Sequence, residues 1–136
     1  MNREAYETLM SFMAAMSVWE IEFCSAQDEA DEPGSDIGII RDRYAAKLLA
    51  IFDQYSIHHG VNRNRLVDLG STLPPTYDPE RDHVEVEKEN EPVFLVKQSA
   101  GFKSHFRFTM FRHNETWLIK EKQRLDENGH WAPSAL

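Results

Sequence analysis

Cysteine is almost absent. Cys24 is alone among 136 residues, so no disulfide can form within the chain, and the composition suits a reducing compartment. Basic residues are scarce as well: 15 Lys and Arg stand against 23 Asp and Glu, which leaves a net charge of −8. A generic nucleic-acid binder needs net positive charge to displace condensed counterions, so that class is excluded. There is also no long apolar run. The longest mostly apolar stretch, Leu9 to Trp19, is interrupted by Ser11 and Ser17 and falls well short of the ~20 residues of a membrane-spanning helix. It is preceded by Arg3, Glu4 and Glu7, not by a positive n-region. It runs on into Glu20 and Glu22 with no small-residue cleavage site, so it does not read as a secretory signal. These absences lead to the expectation of a cytosolic protein that binds neither membrane nor nucleic acid.

Several chemistries are missing too. No His-x-x-x-His or Cys-x-x-Cys spacing occurs, and the adjacent His58 and His59 would point apart on any regular element. Gly-x-Ser-x-Gly and glycine-rich phosphate loops are lacking. Cys24 falls at the end of an apolar helix, where a thiol is ordinarily inert. No metal or other cofactor is expected.

What the chain does contain is a change of period halfway along. Tyr6, Leu9, Met10, Met13, Met16 and Phe23 recur at helical spacing and predict a first helix from about Asn2 to about Cys24, with Phe12 and Trp19 widening its stripe. Ser25 to Gly34 then reads as a solvated acidic loop carrying Asp28, Glu29, Asp31 and Glu32. Ser35 or Asp36 can cap a second helix whose stripe runs from Ile37 through Tyr44, Leu48 and Phe52 to Tyr55, with Gly60 as a C-cap. A short third helix over Arg63 to Leu69 and a proline-stiffened loop, Gly70 to Asp82, follow.

The remainder predicts an antiparallel meander. His83 to Lys88 and Val93 to Gln98 are strands. Phe102, Ser104, Phe106, Phe108 and Met110 alternate with polar residues on a long third strand; Thr116 to Leu125 is a fourth, and Trp131 sits on a short fifth. The whole is one α+β domain, residues 1–136, with helices packed on one face of the sheet. Charge is segregated, with seven acids between Asp78 and Glu91 and seven bases between Lys97 and Arg124. Lys120, Lys122 and Arg124 are expected on a single outer face, compensated by the acidic first strand.

Two carboxylates break the hydrophobic pattern. Glu20 falls on the apolar stripe of the first helix, and Glu121 continues the phase of Trp117 and Ile119. A carboxylate against aromatic rings has the raised pKa that a general acid or base needs, and Tyr44 could join it. The simpler reading places each at the end of its element, reaching water or a Lys.

The order of elements is that of the nuclear transport factor 2-like fold, in which helices close a cone formed by a strongly curved antiparallel sheet. The residues narrow the match. Trp19-Glu20, Leu69-Gly70, Pro74-Pro75-x-Tyr77-Asp78-Pro79, the aromatic strand Phe102 to Phe111, Trp117-Leu118-Ile119 and Gly129-x-Trp131 resemble the nuclear transport factor 2-fold immunity proteins of bacterial polymorphic toxin systems, including those beside Rhs-type toxins. His113-Asn114-Glu115 replaces an Asp-Gly-type turn and is expected to form a longer one. The resemblance implies a non-enzymatic protein that binds a cognate toxin in the cytosol of the producing cell. A basic toxin would suit the acid excess, and an outer-face homodimer is common in this fold. The expected toxin-binding residues are Asp28, Glu29, Asp31 and Glu32 first, with Tyr77 and Asp78 second, because stiff loops and tyrosines favour interfaces. The alternative that the same fold allows is a small-molecule isomerase or dehydratase working through Glu20 with Tyr44, or through Glu121.

Overall fold

The computed structural model describes residues 2–30 and 36–136. Two helices, α1 (Arg3–Ala30) and α2 (Ile37–Tyr55), precede a 3₁₀ turn, Asn64–Leu66, and five strands. The strands are β1 (His83–Lys88), β2 (Val93–Lys97), β3 (His105–His113), β4 (Thr116–Leu125) and β5 (Trp131–Pro133). They pair in sequence order, every neighbour antiparallel. This is the α+β arrangement that the change of period implies: two helices against one curved sheet.

Local chemistry sets the ends. Asn2 accepts the Ala5 N–H at 3.0 Å to start α1. Asp36, not Ser35, caps α2 by accepting from Gly38 and Ile39 at 2.9 and 3.3 Å. The first helix runs past Cys24 to Ala30, so Asp28 and Glu29 are helical, not loop; Asp31 and Glu32 lie outside the described residues. Helix α2 ends at Tyr55 as expected, but Ser56 is its C-cap, and Gly60 (φ 53°) serves the following turn. Only one 3₁₀ turn forms where a third helix was expected. The third strand starts at His105: Phe102 is in a turn and 88% exposed, because Lys103 takes φ 53° and breaks the alternation. The hairpin at Asn114-Glu115 is tight, not long. His113 pairs with Thr116, and both central residues have positive φ, 48° and 70°, which matches the twist of the flanking strands.

The inner face of the sheet is built from cross-strand pairs. Val84 faces Val96, which faces Phe106; Val86 faces Phe94, which faces Phe108; Met110 faces Ile119. Against it lie Leu9, Phe12, Met13, Met16 and Phe23 of α1 and Leu48 and Phe52 of α2, all buried. On the outer face Arg107 holds Glu87 through two bonds, 2.8 and 3.0 Å, and stacks over the Trp131 ring at 4.2 Å. Acidic and basic strands therefore compensate each other there, at least across β1 and β3.

One irregularity changes what the sheet presents. Met110 pairs with Ile119 and Thr109 with Glu121, so Lys120 is the extra residue of a β-bulge. The bulge breaks the phase of β4. Glu121 falls on the outer face opposite Thr109, and Lys122 falls on the inner face opposite Phe108. The expected outer row of Lys120, Lys122 and Arg124 is thus corrected: Lys122 is 3% exposed. Asn62 stabilises the bulge. It is buried, and its Nδ2 donates to the Lys120 carbonyl at 2.9 Å and the Ile57 carbonyl at 3.1 Å.

Candidate functional site

Glu20 is fully buried on the sheet-facing side of α1. Its carboxylate is not idle. Arg65, from the 3₁₀ turn, forms an ion pair with Oε1. Thr76 donates to it twice, from its amide at 2.8 Å and its hydroxyl at 2.6 Å, and the Thr72 hydroxyl donates at 3.2 Å. Arg65 is held in turn by the Gly70 carbonyl at 3.2 Å and lies over the Trp19 ring. Four donors occupy the two carboxylate oxygens, which leaves neither aimed at a substrate. Glu20 ties α1 to the 65–76 segment.

The other two members of the acid/base reading are elsewhere. The ring of Tyr44 stacks on Phe23 at 5.2 Å, and its carbonyl accepts the Trp19 indole N–H at 2.9 Å. Glu121 is on the opposite face of the sheet from Glu20. Glu20, Tyr44 and Glu121 do not converge, because the bulge sends Glu121 outward and a salt bridge occupies Glu20.

The proline-rich segment also turns inward. Tyr77 is fully buried, packed edge-on to Phe12 at 5.4 Å and near Phe106 and Phe108 at 6.0 and 6.1 Å. The expectation that it projects as an interface anchor is corrected: its ring fills the core. Burial raises its phenol pKa well above the ordinary value, and among the described residues its hydroxyl has no hydrogen-bond partner. Asp78 is half-buried. Its amide donates to Asp82 at 2.9 Å, and its carboxylate accepts from Glu80 N at 3.1 Å. Asp82 in turn accepts from Ser99 N and Oγ at 2.9 and 3.1 Å, and Gln98 donates to the Thr76 carbonyl at 3.0 Å. The Pro74–Pro79 segment is a structural strap between α1 and the turn before β3. Asp28 and Glu29, by contrast, are exposed at the end of α1.

Sequence reasoning missed the chemistry at the mouth of the sheet. A cleft of about 530 Å3 opens between the 72–76 strap, the turn around Phe102, and β4. Lys122 and Arg124 line it, and among the described residues no acidic side chain does. The Lys122 ammonium donates to the Ala135 carbonyl at 3.0 Å and sits over the rings of Phe106 and Tyr77 at 4.1 and 5.0 Å. Burial lowers its pKa to about 7; Arg65 and Arg124 push the same way and Glu20 opposes them. Only the bulge places this lysine inward, and a period-2 reading carries no signal for a bulge. For Glu20 a signal existed: a lone arginine among Leu66, Val67 and Leu69, and two threonines flanking Pro74-Pro75.

Among the described residues no cluster of His, Cys, Asp or Glu could hold a metal ion, and no helix is long and apolar enough to cross a membrane. Comparison with known proteins gives two matches. The family described as NTF2 fold immunity protein matches residues 4–134. Immunity protein RhsIA of Dickeya dadantii (strain 3937) is 24% identical over 123 residues, which span 89% of this chain and 87% of that protein. No solved structure matches the chain.

Proposed function

Because the chain belongs to the family of NTF2 fold immunity proteins, we propose that it binds a cognate protein toxin of a Rhs-type system and blocks it by occupying its surface, without catalysis. The observation that carries this reading is the family match over residues 4–134. The geometry agrees with it, since the carboxylate best placed for acid/base work, Glu20, is consumed by Arg65, Thr72 and Thr76. The site of action is the cytosol of the producing cell, where a reduced Cys24 and the lack of a spanning helix among the described residues create no obstacle.

The acidic end of α1 is the proposed contact surface. Asp28 and Glu29 lie in its last turns, which hold no basic residue. Both side chains are exposed there and accessible to a partner. Asp31 and Glu32 extend the run in sequence, and Asp78 is a secondary contact. A net charge of −8 would steer a basic toxin toward this chain. A homodimer through the outer face is the second part of the proposal. It rests on Phe111, 39% exposed and paired with Leu118 beside the β3–β4 hairpin turn.

The test is co-expression with the toxin domain encoded by the neighbouring gene in a sensitive bacterial host. Survival and a co-purifying complex are expected. Cell death with no complex, from a protein shown to be folded, overturns the immunity reading.

A further inference from the structure

The cleft beside the proline strap has a chemistry that toxin binding through α1 does not use. Its two cations, Lys122 and Arg124, are two residues apart on β4 and share it with the apolar walls of Leu73, Pro74, Phe102 and Phe106. In a chain of net charge −8, none of the described residues lining this cavity is acidic. Lys122 is 3% exposed, yet among the described residues no carboxylate lies within ion-pair distance of it. An ammonium has three donors, and the Ala135 carbonyl takes one at 3.0 Å. The Tyr77 ring lies 5.0 Å from the ammonium, and the Tyr77 hydroxyl is buried with no hydrogen-bond partner among the described residues. A buried charge held by one neutral carbonyl and two rings is an unfavourable arrangement in an empty protein. It becomes favourable once an anion enters.

We propose that this cleft is a binding site for a carboxylate carried on an apolar body, with the carboxylate on the Lys122 ammonium, Arg124 at the mouth, and the body against Leu73, Pro74, Phe102 and Phe106. The cavity size, about 530 Å3, is within the ordinary range for small-ligand sites. One buried ammonium matches one monoanion. The ligand chemistry is shared by a free organic acid and by an Asp or Glu side chain of a protein partner. The inference is independent of the immunity reading, which stands or falls on co-expression with the toxin.

A second consequence makes the site measurable. Burial, helped by Arg65 and Arg124 and opposed by Glu20, lowers the Lys122 pKa to about 7, and Tyr77 beside it stays neutral. At about pH 8 most of the empty protein has a neutral lysine. A bound carboxylate favours the ammonium, so binding draws up to about one proton from the buffer.

The experiment is calorimetric titration of the full chain with phenylacetate at about pH 8, in two buffers of different ionisation enthalpy. Benzylamine serves as the cationic control. A capped tetrapeptide with one Asp beside a Phe supplies the side-chain carboxylate. Saturable binding of phenylacetate or the peptide, with proton uptake and no binding of benzylamine, is the expected result. Lys122→Met should abolish the uptake and weaken binding at least about tenfold, while Arg124→Gln weakens it less and keeps the uptake. Binding of phenylacetate alone assigns the site to a small acid; binding of the peptide alone assigns it to a protein partner. If neither probe saturates the wild type, or if binding proceeds without proton uptake, the site is refuted whether or not Lys122→Met folds.

Discussion

Removing the Glu20 carboxylate should damage folding before it damages any chemistry. In Glu20→Ala the Arg65 guanidinium loses its anion while its side chain is only 14% exposed. The Thr76 amide and hydroxyl and the Thr72 hydroxyl lose their acceptor in the same step. Breaking a buried ion pair by deleting one partner costs about 3–5 kcal/mol, because the other charge stays behind unpaired. Arg65 retains the Gly70 carbonyl and some contact with water, which favours the lower end, about 3 kcal/mol. For a domain of this size that is roughly a 10 °C fall in Tm. Urea denaturation of Glu20→Ala, Arg65→Met and the double variant forms a complete cycle. Each single change should cost about 3 kcal/mol, and the double much less than their sum, because removing both charges leaves no orphan. A Glu20→Ala loss below about 1 kcal/mol, or strict additivity in the cycle, would refute the strap and reopen Glu20 as a functional acid.

The core makes a simpler claim. Phe106→Ala should cost roughly 3–5 kcal/mol in chemical denaturation and Thr109→Ala, on the outer face, close to nothing; equal losses would reject the strand phase. Lys122 predicts a pH dependence. Its folded pKa, about 7, lies below the unfolded value of 10.5, so the unfolded chain binds the extra proton between them and stability rises with pH. Relative to Lys122→Met, the wild type should gain up to about 1.4 kcal/mol per pH unit from pH 7 to about 9.5, below the range where tyrosines titrate; a flat difference contradicts the burial argument. Charge reversal of Asp28 and Glu29 together should slow association with the toxin most at low salt and leave the unfolding midpoint near the wild type, and an unchanged on-rate moves the contact to another face. Sedimentation at high protein concentration should show a dimer that Phe111→Asp dissociates; monomer alone removes the homodimer.

The architecture was legible because its signals are periodic. Heptad-like recurrence from Leu9 to Phe23 has no reading other than a covered helix, and the bounds of β1, His83–Lys88, follow from strict alternation. Misreadings cluster where the period is interrupted by something local. Helix α1 continues to Ala30 through Gln27, Asp28 and Glu29, which are polar but good or tolerable helix formers, so composition alone reads as a loop what geometry keeps helical. Phe102 has the right parity for the core and still stays outside it, exposed at the mouth of the cleft, because Lys103 adopts a left-handed conformation that resets the strand one residue later. Tyr77 reads as an exposed anchor by residue type, yet the prolines around it hold the backbone so that the ring enters the aromatic core. Turn residues constrain where a chain bends; they do not reveal which way it bends.

The inward lysine follows from the same logic taken one step further. Along β4 the pattern Trp117, Ile119, Glu121 is a consistent alternation, and nothing in residue type marks Lys120 as surplus. The bulge is specified by distant groups. Asn62, which follows α2 by only a few residues, captures the Lys120 carbonyl at 2.9 Å, and the Ile57 amide takes the Ile119 carbonyl at 3.0 Å. These bonds satisfy backbone groups that the bulge leaves without ladder partners, which is the condition for burying it. Their effect is a change of parity. Glu121 is expelled from the interior and Lys122 is drawn in, so that the cleft floor is basic where an alternating strand would have made it acidic. At that depth this sequence places a cation, over Phe106 and Tyr77. The bonds from Asn62 and the Ile57 amide thus support the bulge that puts Lys122, and not Glu121, at the cleft.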